Sequence, residues 1–295
     1  MSLTQQLIGI LVPIFALAGI GAGWRLLNIP FDREFVTRVV MNIGTPCLIL
    51  NTLLNLTLPL EQFTAILLAA VMVLLVVSVV AFGVVCGLGL PVRSFVPPLV
   101  FGNTGNTGLP LCLFAFGQDG LGLGIAFYIV GSSAQFIVAP LFQSARPAWR
   151  TLFTTPVIYA AVLGLGLMTA DIAVPGWIER LIGLLAGLAI PLMMIAMGYS
   201  LAGFRVARLP TALGLGLTRL ALGFGAGLAI CTLLGLEGLV RNVVILQSAM
   251  PAAVFNYLLA ARYNRHPEDV AGIVLVSSVI AAAALPLLLG WLLGQ

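Results

Sequence analysis

At 295 residues, with 61% hydrophobic and only 7% charged positions and a mean hydropathy of +1.17, the chain departs from soluble domains, in which about a quarter of residues are charged. That usage excludes a soluble enzyme or binding module and describes an integral membrane protein, with room for about ten spans of ~20 residues in one transmembrane domain and none for an added soluble domain. The net charge of +4 comes from 13 arginines without a lysine, which in such a chain concerns topology before any acidic partner; no nucleic-acid partner is expected.

Apolar runs bounded by Gly, Pro, Asn or charge predict ten helices, beginning with 5–27, 35–55 and 62–90. Met1 to Gln6 carry no Lys or Arg ahead of the first run, so this segment is read as the start of a span rather than a cleaved leader. The second span holds Thr45 and Asn51 on either side of Pro46, which together with Pro191 in the seventh is expected to kink a cavity wall.

The fourth span, 95–117, contains Gly102-Asn103-Thr104-Gly105-Asn106-Thr107-Gly108-Leu109-Pro110. Its glycines, asparagines and proline oppose a continuous helix, and freed backbone groups cannot face hydrocarbon, so the break is expected to be buried in protein or to line a wet cavity. Spans five to eight follow at 119–142, 152–170, 176–202 and 210–235, the fifth carrying Gln135 and the eighth Arg219, the one charge well inside a span. The ninth, 239–262, is interrupted at Gln247-Ser248-Ala249-Met250-Pro251 and carries Asn256; the tenth is 268–293.

With the N-terminus outside, ten arginines (Arg25, Arg33, Arg38, Arg93, Arg146, Arg150, Arg205, Arg208, Arg262, Arg265) fall in cytoplasmic turns and two, Arg180 and Arg241, face outward. The positive-inside rule therefore predicts a multi-pass protein of the cell (inner or plasma) membrane with both termini outside. Trp24, Trp149, Trp177 and Trp291 fall near expected helix ends.

Landmarks recur at a nearly constant offset: Pro46 with Pro191 at 145 residues, Pro110 with Pro251 at 141, and Ser132-Ser133 with Ser277-Ser278 at 145. Two sets of five spans (repeat one 5–142, repeat two 152–293) then cross the membrane in opposite senses, an inverted repeat whose fourth and ninth helices are broken and meet at mid-membrane. Half-helix N-termini would aim N–H groups and positive dipole ends into the cavity, which favours an anion. Asn106 or Thr107 is expected to cap the half-helix near Pro110, and Ser248 the one near Pro251.

Candidate substrate contacts are Asn103, Asn106, Thr45, Asn51, Gln135, Gln247, Ser248 and Asn256. Gly105, Gly108, Pro110, Pro251, Pro46 and Pro191 are the candidate structural positions of the breaks and kinks, and Arg219 is the candidate for a gating or charge role. No Asp or Glu sits near the middle of a span. The four cysteines, Cys47, Cys86, Cys112 and Cys231, lack metal-site spacing and read as buried thiols; the single histidine, His266, reads as a solvated loop residue. No cofactor or metal is expected, and the glycines Gly214, Gly216, Gly223, Gly225 and Gly227 read as helix-packing positions rather than a nucleotide loop.

On Asn103 to Pro110, on Gln247 to Pro251 and on Ala261-Arg-Tyr-Asn-Arg-His-Pro267, the chain resembles the auxin efflux carrier family of bacterial permeases and plant exporters. The resemblance implies ten helices in two inverted repeats, a scaffold and a transport part, crossover at the two prolines, and substrate contact by Asn103. The long cytoplasmic loop of plant members has no counterpart, since little more than Gln143 to Arg150 joins spans five and six. It further implies secondary transport of small organic anions such as malate, malonate or auxin-like acids by alternating access, with an elevator or rocking motion. The alternatives are a sodium-coupled symporter of bile-acid-transporter type and a sensor that binds without transporting. Partners would be the anion, membrane lipids and a second copy in a homodimer.

Overall fold

The computed structural model describes residues 2–56, 58–144, 156–170 and 174–294, and every regular element among them is helical. Helix α1 (Leu3–Leu26) opens with a capping box in which the Gln5 N–H donates to Ser2 Oγ at 3.3 Å and the Ser2 N–H donates to Gln5 Oε1 at 3.2 Å. Helix α2 (Arg33–Leu54) starts where the Asp32 carboxylate accepts the Phe35 N–H at 3.0 Å. Its middle winds into a π turn, Val40–Gly44, with the Thr45 N–H donating to the Val40 carbonyl. The wider turn sits just ahead of Pro46, which has no N–H to donate and whose ring would crowd the carbonyl four residues back.

Helices α3 (Leu60–Gly87) and α4 (Val92–Val100) follow; then the chain leaves helical geometry at Phe101–Asn103. It re-enters through a π turn, Thr104–Gly108, that runs into α5 (Leu109–Ser144). Within α5, Gly117 at φ 70° and ψ −160° breaks the helix where the sequence puts the boundary between spans four and five. The remaining helices are α6 (Pro156–Thr169), α7 (Gly176–Ala202), α8 (Leu209–Leu234), α9 (Gly238–Ser248), α10 (Val254–Arg262) and α11 (Pro267–Leu293). Seven described helices are long and apolar enough to cross a membrane. Spans four and nine are not among them as units, because each is divided into halves that are individually short.

Packing sorts the helices into two bundles. In one, α1 lies along α7 and α2 lies against α6 and α7. In the other, α8 packs on α11 and α3, and α9 on α8 and α5. The α1–α7 seam is backbone-close: any Cβ on Gly21 would strike the Ile195 carbonyl, and any on Gly198 the Ala18 carbonyl. On α8, Gly223 and Gly227 admit Ser248 of α9 and Gly216 touches Ser277 of α11, whereas Gly214 and Gly225 face open space. Leu75, Val79, Leu184 and Leu287 stand exposed on outer faces, as lipid-facing side chains must.

The expectation of four buried thiols fails at Cys86, which is exposed on α3, and at Cys47, which is half-buried; Cys112 and Cys231 are buried. An apolar run does not tell lipid-facing from protein-facing positions. His266 is an exposed turn residue, as expected, and its Nδ1 also pairs with Ser94 Oγ at 2.9 Å, while its backbone, at φ 48°, leads into α11. That bond, the Arg25 guanidinium over the Tyr199 ring and the two-pronged Arg208–Asp269 ion pair gather the α1–α2, α3–α4, α7–α8 and α10–α11 turns at one end of the molecule. Arg146, Trp149, Arg150, Asp171 and most of the link between spans five and six lie outside the described residues.

The two helix breaks lie against each other. Gly102 and Ala252 form an antiparallel pair, with the Asn103 N–H donating to the Pro251 carbonyl at 2.7 Å and the Ala253 N–H to the Phe101 carbonyl at 3.0 Å. The Phe101 carbonyl also accepts Asn256 Nδ2 at 2.9 Å, and the Ala252 N–H donates to Ser277 Oγ at 3.2 Å. Arg219 completes the crossing: Nη1 donates to the Leu99 carbonyl at 3.1 Å, near the end of α4, and Nη2 to the Ser248 carbonyl at 3.2 Å, at the end of α9. It is 3% exposed, so it does not snorkel to the interface, and it puts a cation at two helix C-termini where dipoles favour one. A Cβ at 102 would overlap the guanidinium, so any larger residue there would push Arg219 off its carbonyls.

The breaks are therefore at Phe101–Asn103 and Ala249–Ala253, which corrects the expected crossover at two prolines. Pro251 lies within its break, but Pro110 is the second residue of α5, downstream of the π turn. Two predictions follow from this packing. Gly198→Leu is expected to lower the thermal midpoint in detergent, at a cost of about 1–3 kcal/mol for forced separation of α1 and α7, while Gly9→Ala, with open space around it, is not. Arg219→Met is expected to lower it too, by about 1–3 kcal/mol for each stranded carbonyl, with Arg219→Lys recovering part of the loss; intrinsic-fluorescence melting reads both.

Candidate functional site

Beneath the crossing lies a cavity of about 800 Å³. It runs from buried walls at Asn103, Gln247 and Arg219 to a mouth at Arg33, Glu34, Arg38 and Arg262, where the Arg38–Glu34 ion pair stands in the open. Four arginines and one glutamate line it, so the formal charge around it is net positive. Thr104, Gly105 and Asn106 open the helical stretch that follows the first break, and Val254 and Phe255 open α10; all five face the cavity. First-turn amides of a helix have no partner within it and carry the positive dipole end. Among the described residues, no group of three or more His, Cys, Asp or Glu side chains could hold a metal ion.

The sequence-predicted residues divide into those at the cavity and those away from it. Asn103 is 4% exposed and lines the wall; its Nδ2 donates to Thr107 Oγ1 at 2.9 Å and toward Met197 Sδ at 3.3 Å. Asn106, half-buried, lines the same wall. Gln135 lines it as well and donates through Nε2 to Asn256 Oδ1 at 3.2 Å, so Asn256 ties Gln135 to the first break while standing behind the lining. Gln247 donates to the Gly124 carbonyl at 3.2 Å, and its amide leaves no room for a side chain at Gly108. Gly105 is likewise confined, by the Tyr128 ring.

Capping differs from expectation. Ser248 closes α9 and donates back to the Val244 carbonyl at 2.6 Å, and α10 starts after Ala253 without a side-chain cap. Neither Asn106 nor Thr107 caps a helix near Pro110, since the helical stretch begins earlier, after Asn103, whose carbonyl takes the Thr107 and Gly108 N–H groups at 3.2 and 3.1 Å. The π turn moved the helix start upstream of the proline that marked it. Thr45 and Asn51 are not brought to the cavity: Thr45 is fully buried with its hydroxyl unpartnered, and the Asn51 side chain lies near Gly183 of α7. Pro46 is buried in α2, and Pro191 lies inside α7, in a stretch where Ala189 packs on Gly44.

Sequence reasoning did not single out Met197 or Tyr128 for the site, and it used Ser277 only as a repeat landmark. A methionine or tyrosine in an apolar run carries no signal of its own. Serine within a span does, because a hydroxyl at that depth needs a partner.

A family profile described as "membrane transport protein" matches residues 140–289. The chain is also similar to an uncharacterized transporter of Methanothermobacter thermautotrophicus, 28% identical over 87% of this chain and 88% of that one. It is 26% identical to auxin efflux carrier component 3a of Oryza sativa subsp. japonica over 45% of this chain and 23% of the carrier. Against auxin efflux carrier component 1 of Arabidopsis thaliana it is 27% identical, over 45% and 22%. With its breaks buried in a helical membrane fold and a profile spanning half its length, the chain belongs to the membrane transport protein family that includes the auxin efflux carriers.

Proposed function

We propose that this transporter moves small organic anions, carboxylates such as malate, malonate or auxin-like acids, by alternating access, and binds them beneath the crossing of its two broken helices. The observation that carries this is the cavity itself, where Asn103 and two helix starts face a space lined by four arginines and one glutamate. An amide can orient a carboxylate, the first-turn N–H groups receive its charge, and the apolar walls at Val73, Phe127 and Phe255 take the remainder of the molecule. Ten spans as two inverted repeats of five account for two breaks that face each other in antiparallel sense. The two bundles then act as scaffold and moving part, in an elevator or rocking motion, and the carrier assembles as a homodimer in the cell membrane. Arginine-rich turns gathered at one end support a cytoplasmic placement for that end, both termini outside, and a cavity open to the cytoplasm.

A thermal-shift screen of the purified protein against mono- and dicarboxylates and indole acids, with and without sodium, is expected to find a stabilising acid in either salt. Stabilisation by none would overturn the proposal, stabilisation only with sodium would favour a symporter, and binding without uptake into proteoliposomes would favour a sensor. Asn103→Ala is expected to weaken that acid about tenfold or more, for loss of one charge-assisted hydrogen bond, with the unliganded melting temperature largely kept. In a cysteine-free background, cysteines replacing Arg38 and Arg241 are expected to react with an impermeant maleimide from opposite sides of the membrane.

A further inference from the structure

We propose that the thioether of Met197 competes with substrate for the donors of the site: it holds the Asn103 amide and the Thr107 hydroxyl until a substrate carboxylate replaces it. The proposal rests on the carboxylate reading above and assigns a residue outside it. Asn103 Nδ2 and Thr107 Oγ1 both donate to Met197 Sδ, at 3.3 and 3.1 Å, and Nδ2 also donates to Thr107 Oγ1 at 2.9 Å. The three side chains close a triangle, with Asn103 4% and Thr107 7% exposed. Without the sulfur, buried donors would point into an apolar wall, and buried unpaired donors are costly.

Sulfur is a weak acceptor, and a carboxylate is a strong one. The thioether therefore satisfies the donors well enough to hold them in place, yet loses to the anion. Methionine also suits the role mechanically, since an unbranched side chain with three rotatable bonds can swing aside without disturbing its helix.

The contact has a second property. Met197 is on α7, which packs with α1 and α2, whereas Asn103 and Thr107 belong to the break and turn that pack with α5, with α9 and, at this point, with α7 itself. It is a polar tie across the boundary of the two bundles, released by the ligand that replaces it. Substrate entry thereby removes a bond between parts that must move past each other.

The test uses the full chain in detergent, with malonate and indole-3-acetate as probes, and Met197→Leu, which keeps similar volume without an acceptor. Calorimetry is expected to show Met197→Leu binding the acid about threefold to tenfold tighter than wild type, because no competing acceptor must be displaced, while Asn103→Ala loses binding. In protein labelled with ¹³C-methyl methionine, one of 8 methyl signals, assigned through Met197→Leu, is expected to move saturably with the acid and to be shifted already in unliganded Asn103→Ala. Unchanged or weaker binding by Met197→Leu overturns the proposal, the weaker case by making Met197 a direct substrate contact. If Asn103→Ala binds like wild type, or wild type binds neither acid, the site reading fails instead. In that event the unliganded methyl signal still decides the contact, and an unmoved signal in Asn103→Ala overturns it.

Discussion

The membrane interior offers no water to a broken backbone, so each helix interruption must find its hydrogen-bond partners within the protein. Here each break finds them chiefly in the other. The Phe101 carbonyl takes the Ala253 N–H and the Asn256 amide, the Pro251 carbonyl takes the Asn103 N–H, and the Ser277 and Arg219 side chains collect groups that this exchange leaves over. The arrangement is a two-rung fragment of sheet inside a helical protein. It fixes the depth, direction and spacing of the helix starts that face the cavity.

Charge is distributed to match. Arg219 stands at two helix C-termini, where carbonyls make the local potential negative, and the helix starts that face the cavity carry the opposite sign. One guanidinium thus answers the negative ends while the positive ends are left for a guest. The arginine offered from the sequence for a gating or charge role is a structural tie that also lines the cavity. Its neighbour Gly102 is explained by the same contact, since a Cβ there would displace the guanidinium from where it stands.

What the sequence made legible was whatever membrane physics forces into composition. Long apolar helices, two interruptions and the clustering of arginine in turns all follow from the cost of polar groups in hydrocarbon, and Gly117 breaks α5 where the fourth and fifth segments were divided. The misplaced details are those decided by packing. Pro110 advertises a helix start, but the π turn at Thr104–Gly108 begins the helix six residues earlier, because the Asn103 carbonyl can take both the Thr107 and Gly108 N–H groups. Ser248 looks like a cap beside Pro251 and instead ends the preceding helix, bonding backwards to Val244. Met197 was silent because a thioether reads as one more apolar side chain until its neighbours are known.

The mutual bonding of the breaks also bears on how such a protein can change over generations. A substitution that straightened the first interruption would strand the Pro251 carbonyl and the Ala253 N–H, and one that straightened the second would strand Asn103 and Phe101. Neither can be lost alone without leaving unpaired backbone in a dry interior. The two halves of the chain are therefore bound to a common fate at this point, and drift that is harmless elsewhere in either half is closed off here.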